Sequence, residues 1–198
     1  MLDGLKFGGR APNLMLTDYQ DTTAALAADS EQRVAAAYAL LAAGQLGRAE
    51  AVEMMAGIVN RANAAAVVLA DAGIAVQIEQ ASAVATPLLG IIADDDTERL
   101  AAAVETILTG DGDTAMQLSR LARAEPLSAT QQASCAAMSA HRGIAGWVRV
   151  LNAGACELCQ WWAHGDRLYP VDQSFRSHPG CNCSARIMLT GKDITHAG

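Results

Sequence analysis

The stretch "CELCQWWAHGDRLYPVDQSFRSHPGCNC", residues 156–183, decides how this chain is read. Its 28 residues hold four of the five cysteines, two of the three tryptophans and two of the four histidines. The donor residues run Cys156-x2-Cys159, eighteen intervening residues, then His178-x2-Cys181-x-Cys183. Zinc takes four nitrogen or sulfur donors in a tetrahedron, often as two close pairs on separate turns. Cys156 and Cys159 make one pair. His178 and Cys181 make the other, with Pro179 and Gly180 shaping the turn between them. Cys183 is a spare thiol on the same side of a strand as Cys181, so it can replace either member of the second pair. His164 is a further candidate. Buried unpaired thiols and a disulfide are the competing readings. A redox CxxC belongs where a strand meets a helix in a thioredoxin-like unit, and the front of this chain offers no such context. The H-x-E and P-C-x-x-C pattern of zinc deaminases does not occur.

Working outward, the chain changes character near Gly143. Five of its eight aromatic residues (Trp147, Trp161, Trp162, Tyr169, Phe175) lie in the last 52 positions. "GWVRVLN", "RLYPV" and "CSARIML" alternate well enough to be strands, and "CELCQWWA" is one or two helical turns. Trp161 and Trp162 point in different directions on any regular element, so one packs over the metal site and the other is exposed or meets a partner. A module of this size, ~55 residues, buries too little apolar surface to be stable without help. In a reducing cytosol a structural metal is the usual remedy.

The front of the chain is different. The whole sequence is 52% hydrophobic but 4% aromatic, which means alanine and small aliphatics. Alanine is the best helix former yet buries little area, so thin helical packing is expected. Val34, Tyr38 and Leu41 share one helix face, as do Val52, Met55, Ile58 and Val59. Gly44 and Gly47 bracket a turn. A break or kink is expected near Asp71 and Gly73, and residues 1–16 read as an extended or irregular arm. "DDDTERLAAAVETILTG" reads as a helix with acidic residues at its N-terminus, an apolar stripe of Leu100, Val104, Ile107 and Leu108, and Gly110 as its stop. The acidic run is a solvated cap rather than an ion site, and "GDGD" at 110–113 is a turn, since it lacks the remaining ligands of a calcium loop. A helix over about 114–124 should end at Pro126, which also pushes Glu125 out of helical conformation. Ser128 and Gln131 then form a capping box for a helix over about 129–141. His141 sits at that helix's C-terminus, and Cys135 reads as a small packing residue. His196 belongs to the tail. The fold class is thus a mainly α N-terminal region, residues 1–140, followed by a small α+β zinc-binding module, residues 141–198.

Net charge is −7 and unevenly spread: residues 140–198 carry +2 and the remainder −9. Acidic helices repel nucleic acid. Arg149, Arg167, Arg176 and Arg186 are therefore the candidate nucleic-acid contacts, all in the module. No apolar stretch reaches ~18 uninterrupted residues and no secretory signal is visible; a soluble protein with no membrane partner is expected. No Ser-His-Asp, P-loop or G-x-G-x-x-G pattern is present. A catalytic zinc would need an open position and an acid or base such as Glu157; with five donors available, a closed site is simpler.

The segment "GWVRVLNAGACELCQWWAHGDRLYPVDQSFRSHPGCNCSARI" resembles the C-terminal domain of phage Mu F-like (MuF) minor head proteins, of the type found in actinobacteriophages. The similarity rests on Cys156, Cys159, the "RLYPV" segment, and His178, Pro179, Cys181 and Cys183, and covers about a quarter of the chain. It implies a virion structural protein and not an enzyme. Such a protein is made in the host cytoplasm and sits at the portal vertex or inner capsid wall, in several copies within a symmetric assembly. Its partners would be the portal or major capsid protein, with packaged DNA as a further contact, and its role would be head assembly and DNA packaging or ejection. Where the family often has arginine between the last two cysteines, this chain has Asn182. The alternatives are a nucleic-acid-binding zinc module and a zinc hydrolase.

Overall fold

A computed structural model describes residues 11–190 of the protein, with side chains from residue 15. Four helices come first: α1 (Ala11–Ala42), α2 (Arg48–Ser82), α3 (Thr97–Thr109) and α4 (Thr114–Ala140). The module follows as β1 (Ile144–Val150), α5 (Glu157–Ala163), β2 (Leu168–Pro170) and β3 (Ser184–Leu189). The mainly helical front and the small α+β end are as the sequence implies.

The helix ends obey local rules in places. α1 closes with Gly44 at φ +67°, its N–H on the Leu41 carbonyl and the Gln45 N–H on Leu40, the double bond of a Schellman cap. Asp113 caps α4 by accepting from the Met116 N–H at 2.9 Å. Of the acids before α3, Asp95 accepts from the Thr97 N–H at 3.1 Å, while Asp96, at the N-cap, makes no side-chain cap bond and pairs with Arg99 at 2.8 Å.

Elsewhere tertiary packing overrides the local reading. The arm expected over 1–16 gives way at Ala11, where α1 begins with Pro12 in its first turn; an N–H is not needed there. Residues 1–10 and His196 lie outside the described residues. The break expected near Gly73 is absent, because α2 runs on to Ser82. Gly73 instead lets α1 approach: a Cβ there would stand 2.8 Å from the Tyr19 ring. Asp71, buried in α2, accepts N–H bonds from Leu89, Gly90 and Ile91, at 2.8 Å for Gly90. It thereby holds the extended strap between α2 and α3 against the bundle. The two helices expected around Pro126 are one, with Pro126 fully buried inside α4. Proline in a helix interior costs about 3 kcal/mol. Burial of Ala122, Pro126 and Leu127 on adjacent turns offsets that, and Glu125 stays helical to pair with Arg99 at 2.6 Å. The capping box does not form, since both its members lie mid-helix.

α2 is the central element, packed against α1, α3 and α4 and touching β3. It is 35 residues long, and its most apolar 18-residue window has a mean hydropathy of 1.3, enough by length and composition to cross a bilayer. Half of that window is buried inside the fold, as in the central helix of a bundle. One core joins Val34, Met55, Val59, Leu100, Val104 and Leu118.

The sheet has the order β2-β1-β3, antiparallel throughout. Trp147 on β1 faces Tyr169 on β2 and Ile187 on β3. Gly146 permits the close approach of β2: a Cβ would fall 2.2 Å from the Tyr169 carbonyl oxygen. Ile74, Ala137 and Met138 of the front helices share a core with Trp147, Phe175, Cys159, Cys181 and Ile187. The module is therefore built onto the bundle.

Candidate metal centre

The CxxC half stands at the start of α5. Cys156 is its N-cap and Cys159 lies one turn on, so both sulfurs leave the same helix face. The second half is a tight turn. The Cys181 N–H bonds the His178 carbonyl at 3.0 Å, with Pro179 second and Gly180 third at φ +80°. That is a type II turn, which favours proline then glycine.

The two halves converge. His178 Nε2 lies 3.2 Å from both Cys156 Sγ and Cys159 Sγ, and Cys159 Sγ lies 3.6 Å from Cys181 Sγ. Cys156, Cys159 and His178 form one compact triad and Cys159, Cys181 and Cys183 another, each with donor atoms within 4.8 Å. Cys159 belongs to both. Neither triad contains a carboxylate, and no disulfide links any of the five thiols. Metal bonds of ~2.0–2.3 Å at tetrahedral angles put neighbouring donors ~3.4–3.8 Å apart, close to the separations seen. The five residues can hold a metal ion. His164 stays outside the cluster, at the end of α5 with its ring against Trp161 at 5.3 Å.

Protonation divides the donors. The Cys181 thiol falls to about 4, chiefly because Cys183 donates to it; the same bond, then burial, pushes Cys183 up. The single Cys183 proton also has Asn152 Oδ1 as an acceptor, at 3.2 Å. Cys156 is lowered, first by the Cys159 backbone N–H. Burial raises Cys159 to about 12, a penalty that a divalent cation beside it would reverse. For His178 burial works downward, but the Pro179 carbonyl and the negative charge of the Cys181 and Cys156 thiolates outweigh it, and the net shift is up. Its Nδ1 lies 3.1 Å from the Pro179 oxygen. An Nδ1–H donated there leaves Nε2 as the lone-pair atom facing the sulfurs.

The surroundings contain residues that spacing did not single out. Gln131 of α4 donates to the Cys181 carbonyl at 2.7 Å. Gln77 of α2 bonds both the Ala185 carbonyl and the Ile187 N–H. Gln20 of α1 donates to Ser184 Oγ at 2.9 Å. Asn182, between the last two cysteines, donates to the Gln20 carbonyl at 2.7 Å and accepts from Thr23 Oγ1 at 2.6 Å. Three helices thus grip the Cys-x-Cys strand through buried amides. The signal was there in principle: glutamines interrupting aliphatic helix stripes.

Of the four arginines weighed as nucleic-acid contacts, Arg149 is buried, 3% exposed. Its guanidinium lies 3.9 Å from the Phe175 ring centre and 5.3 Å from that of Trp162, and it donates to the Arg176 carbonyl. Strand alternation puts it on the Trp147 face of β1. Arg167 and Arg176 are exposed and Arg186 is half-buried. Trp162 lies near the metal cluster, 6.4 Å from His178 between ring centres. Trp161 is 59% exposed. Cys135 accepts from the Phe175 N–H at 3.3 Å.

No protein-family model, curated protein or solved structure matches this chain.

Proposed function

We propose that this chain is a non-enzymatic structural protein of a phage head, similar to MuF minor head proteins. In this reading its C-terminal module is locked by one structural zinc ion held by Cys156, Cys159, His178 and Cys181. The observation that carries it is the meeting of the CxxC helix and the HPGC turn at Cys159, whose sulfur lies 3.2 Å from His178 Nε2 and 3.6 Å from Cys181 Sγ. Three sulfurs and one imidazole nitrogen suit zinc. Four such donors fill the coordination shell, which leaves no position for a substrate water and accounts for a structural rather than hydrolytic role. Cys183 supports Cys181 from behind and is the alternative fourth ligand.

The helical front then serves as the docking part. Its small side chains permit close helix approach to portal or major capsid subunits, and its negative charge keeps packaged DNA from adhering. Several copies would sit in the capsid interior or at the portal vertex. The test is fractionation of disassembled virions together with zinc analysis. The reading expects the chain in the portal fraction with one zinc per chain; absence from particles removes it, and a metal-free chain in particles removes the zinc assignment alone.

A further inference from the structure

Beyond the metal centre, on the outer side of α5 and β2, lies a cleft of about 270 Å³. Trp161, Trp162, His164, Arg167, Tyr169 and Arg176 supply most of its wall, and among the described residues no carboxylate lines it. Asp166, the neighbour of Arg167, faces a different groove. The two arginines are exposed and form no ion pair among the described residues. The Arg167 guanidinium is 5.3 Å from the Tyr169 ring centre, and that ring stacks on Trp147 at 4.5 Å. Tyr169 is further fixed by donating its hydroxyl to the Trp162 carbonyl at 2.5 Å. Trp161 leaves 59% of its surface open, its ring contact being His164 at 5.3 Å, and exposed indole area is costly. The turn that positions these groups is strained: His164, Gly165 and Asp166 are all left-handed, at φ +44°, +61° and +65°. Two of the three carry a Cβ, an arrangement that persists only where the surroundings enforce it.

We propose that this cleft binds an unpaired nucleotide of a single-stranded nucleic acid. The base stacks on Trp161 and the phosphate lies between Arg167 and Arg176. Aromatic stacking with adjacent cations is the general chemistry of single-strand sites, tolerant of sequence because every base has a flat face. A duplex cannot present a base face to Trp161, since its faces are stacked internally. An acidic peptide would engage the arginines but leave the indole uncovered. The space is just under the ~300 Å³ at which small-molecule sites begin, room for one base and its phosphate. The net charge of −7 opposes nucleic acid at long range, so the site needs a local, carboxylate-free wall, and this is the wall described. The proposal concerns a surface of the folded module and stands whether or not the chain acts in a phage head.

The experiment is titration of the full-length, zinc-loaded protein with labelled hexathymidylate, read by anisotropy and tryptophan quenching. A hexaglutamate peptide and a short DNA duplex serve as competitors. The oligonucleotide is expected to bind and to quench. Trp161→Ala should weaken binding about tenfold or more, while Trp161→Phe, which keeps a ring, should stay within about threefold. Arg167→Ala and Arg176→Ala should each weaken binding and flatten its dependence on salt. Zinc content measured on each variant separates loss of the cleft from loss of the module. Absence of binding at millimolar oligonucleotide overturns the proposal. So does unchanged affinity in Trp161→Ala, and so does equal competition by the duplex or by the acidic peptide.

Discussion

Replacing Gln77 with leucine removes one side chain and, with it, both bonds along the outer edge of β3. Gln77 is 8% exposed. Its Oε1 accepts from the Ile187 N–H at 3.0 Å and its Nε2 donates to the Ala185 carbonyl at 3.3 Å. β3 is an edge strand, so these two backbone groups point away from β1 and have the glutamine as their partner. Leucine fills the space without answering either. An unpaired buried polar group costs about 1–3 kcal/mol, so the two together cost about 2–6 kcal/mol. The carbonyl bond is the longer, and a partly solvated edge recovers some of the loss, which places the expectation at about 2–4 kcal/mol. A domain holds only about 5–15 kcal/mol in all, and for a chain of this size the change corresponds to a drop of roughly 5–15 °C in Tm. Urea denaturation of the zinc-saturated protein, followed by circular dichroism and tryptophan fluorescence, measures it. Gln45→Leu, at an exposed site, should change stability by less than about 0.5 kcal/mol. If Gln77→Leu is equally mild, the bundle does not hold β3 through this amide, and the account of how the front helices organise the cysteine strand fails.

Cys181→Ser should lose zinc on dialysis against a mild chelator. With zinc at the proposed site, Cys183→Ser keeps a hydroxyl to support Cys181 and should retain one ion per chain, with affinity lowered no more than about tenfold; elemental analysis decides, and the opposite pattern makes Cys183 the ligand. Tyr19 is raised by burial from its ordinary 10 to about 12, so the folded form holds that proton more tightly. The resulting stability is complete below pH 10 and disappears as pH climbs from 10 to 12. Tyr19→Phe should flatten that part of a Tm-against-pH curve, and parallel curves for the two proteins would contradict the burial argument. Gly73→Ala improves helix propensity by about 1 kcal/mol, yet its Cβ would stand 2.8 Å from the Tyr19 ring. Overpacking of about 1–3 kcal/mol should win, giving a lower urea midpoint; a higher one means that α1 can shift without cost.

What was legible in the sequence was what short spacing controls. His178-Pro179-Gly180-Cys181 carries proline and glycine where a type II turn needs them, so the turn could be placed before any coordinates. The three strands announced themselves by alternation. What failed were rules applied to one segment at a time. Pro126 is a helix breaker on local grounds, and only the core beneath it makes continuity favourable. Ser128 and Gln131 have capping-box spacing, but Gln131 is used by a carbonyl fifty positions away. Arg149 looked like a surface cation, although alternation from Trp147 already put it on the inner face of β1. Gln20, Gln77 and Gln131 lie on three different helices, and no window of sequence shows that they meet at one strand.

The two halves of the donor cluster are held in different ways. The HPGC turn runs directly into β3, and that segment is fixed from outside by Gln20, Thr23, Gln77 and Gln131. α5, which carries Cys156 and Cys159, has β1 as its main partner among the elements and is flanked by connections on both sides. One half is therefore organised by the bundle, and the other is positioned where the sulfurs meet. Ordering backbone costs about 1–2 kcal/mol per residue, which for α5 and its flanks is comparable to the ~10–16 kcal/mol that a structural zinc site supplies near neutral pH. A bound ion would then spend its binding energy on one short helix rather than on a whole domain. With such an ion bound, a three-stranded sheet with one buried tryptophan would suffice, because the acidic, alanine-rich helices have already supplied the wall on which its last strand rests.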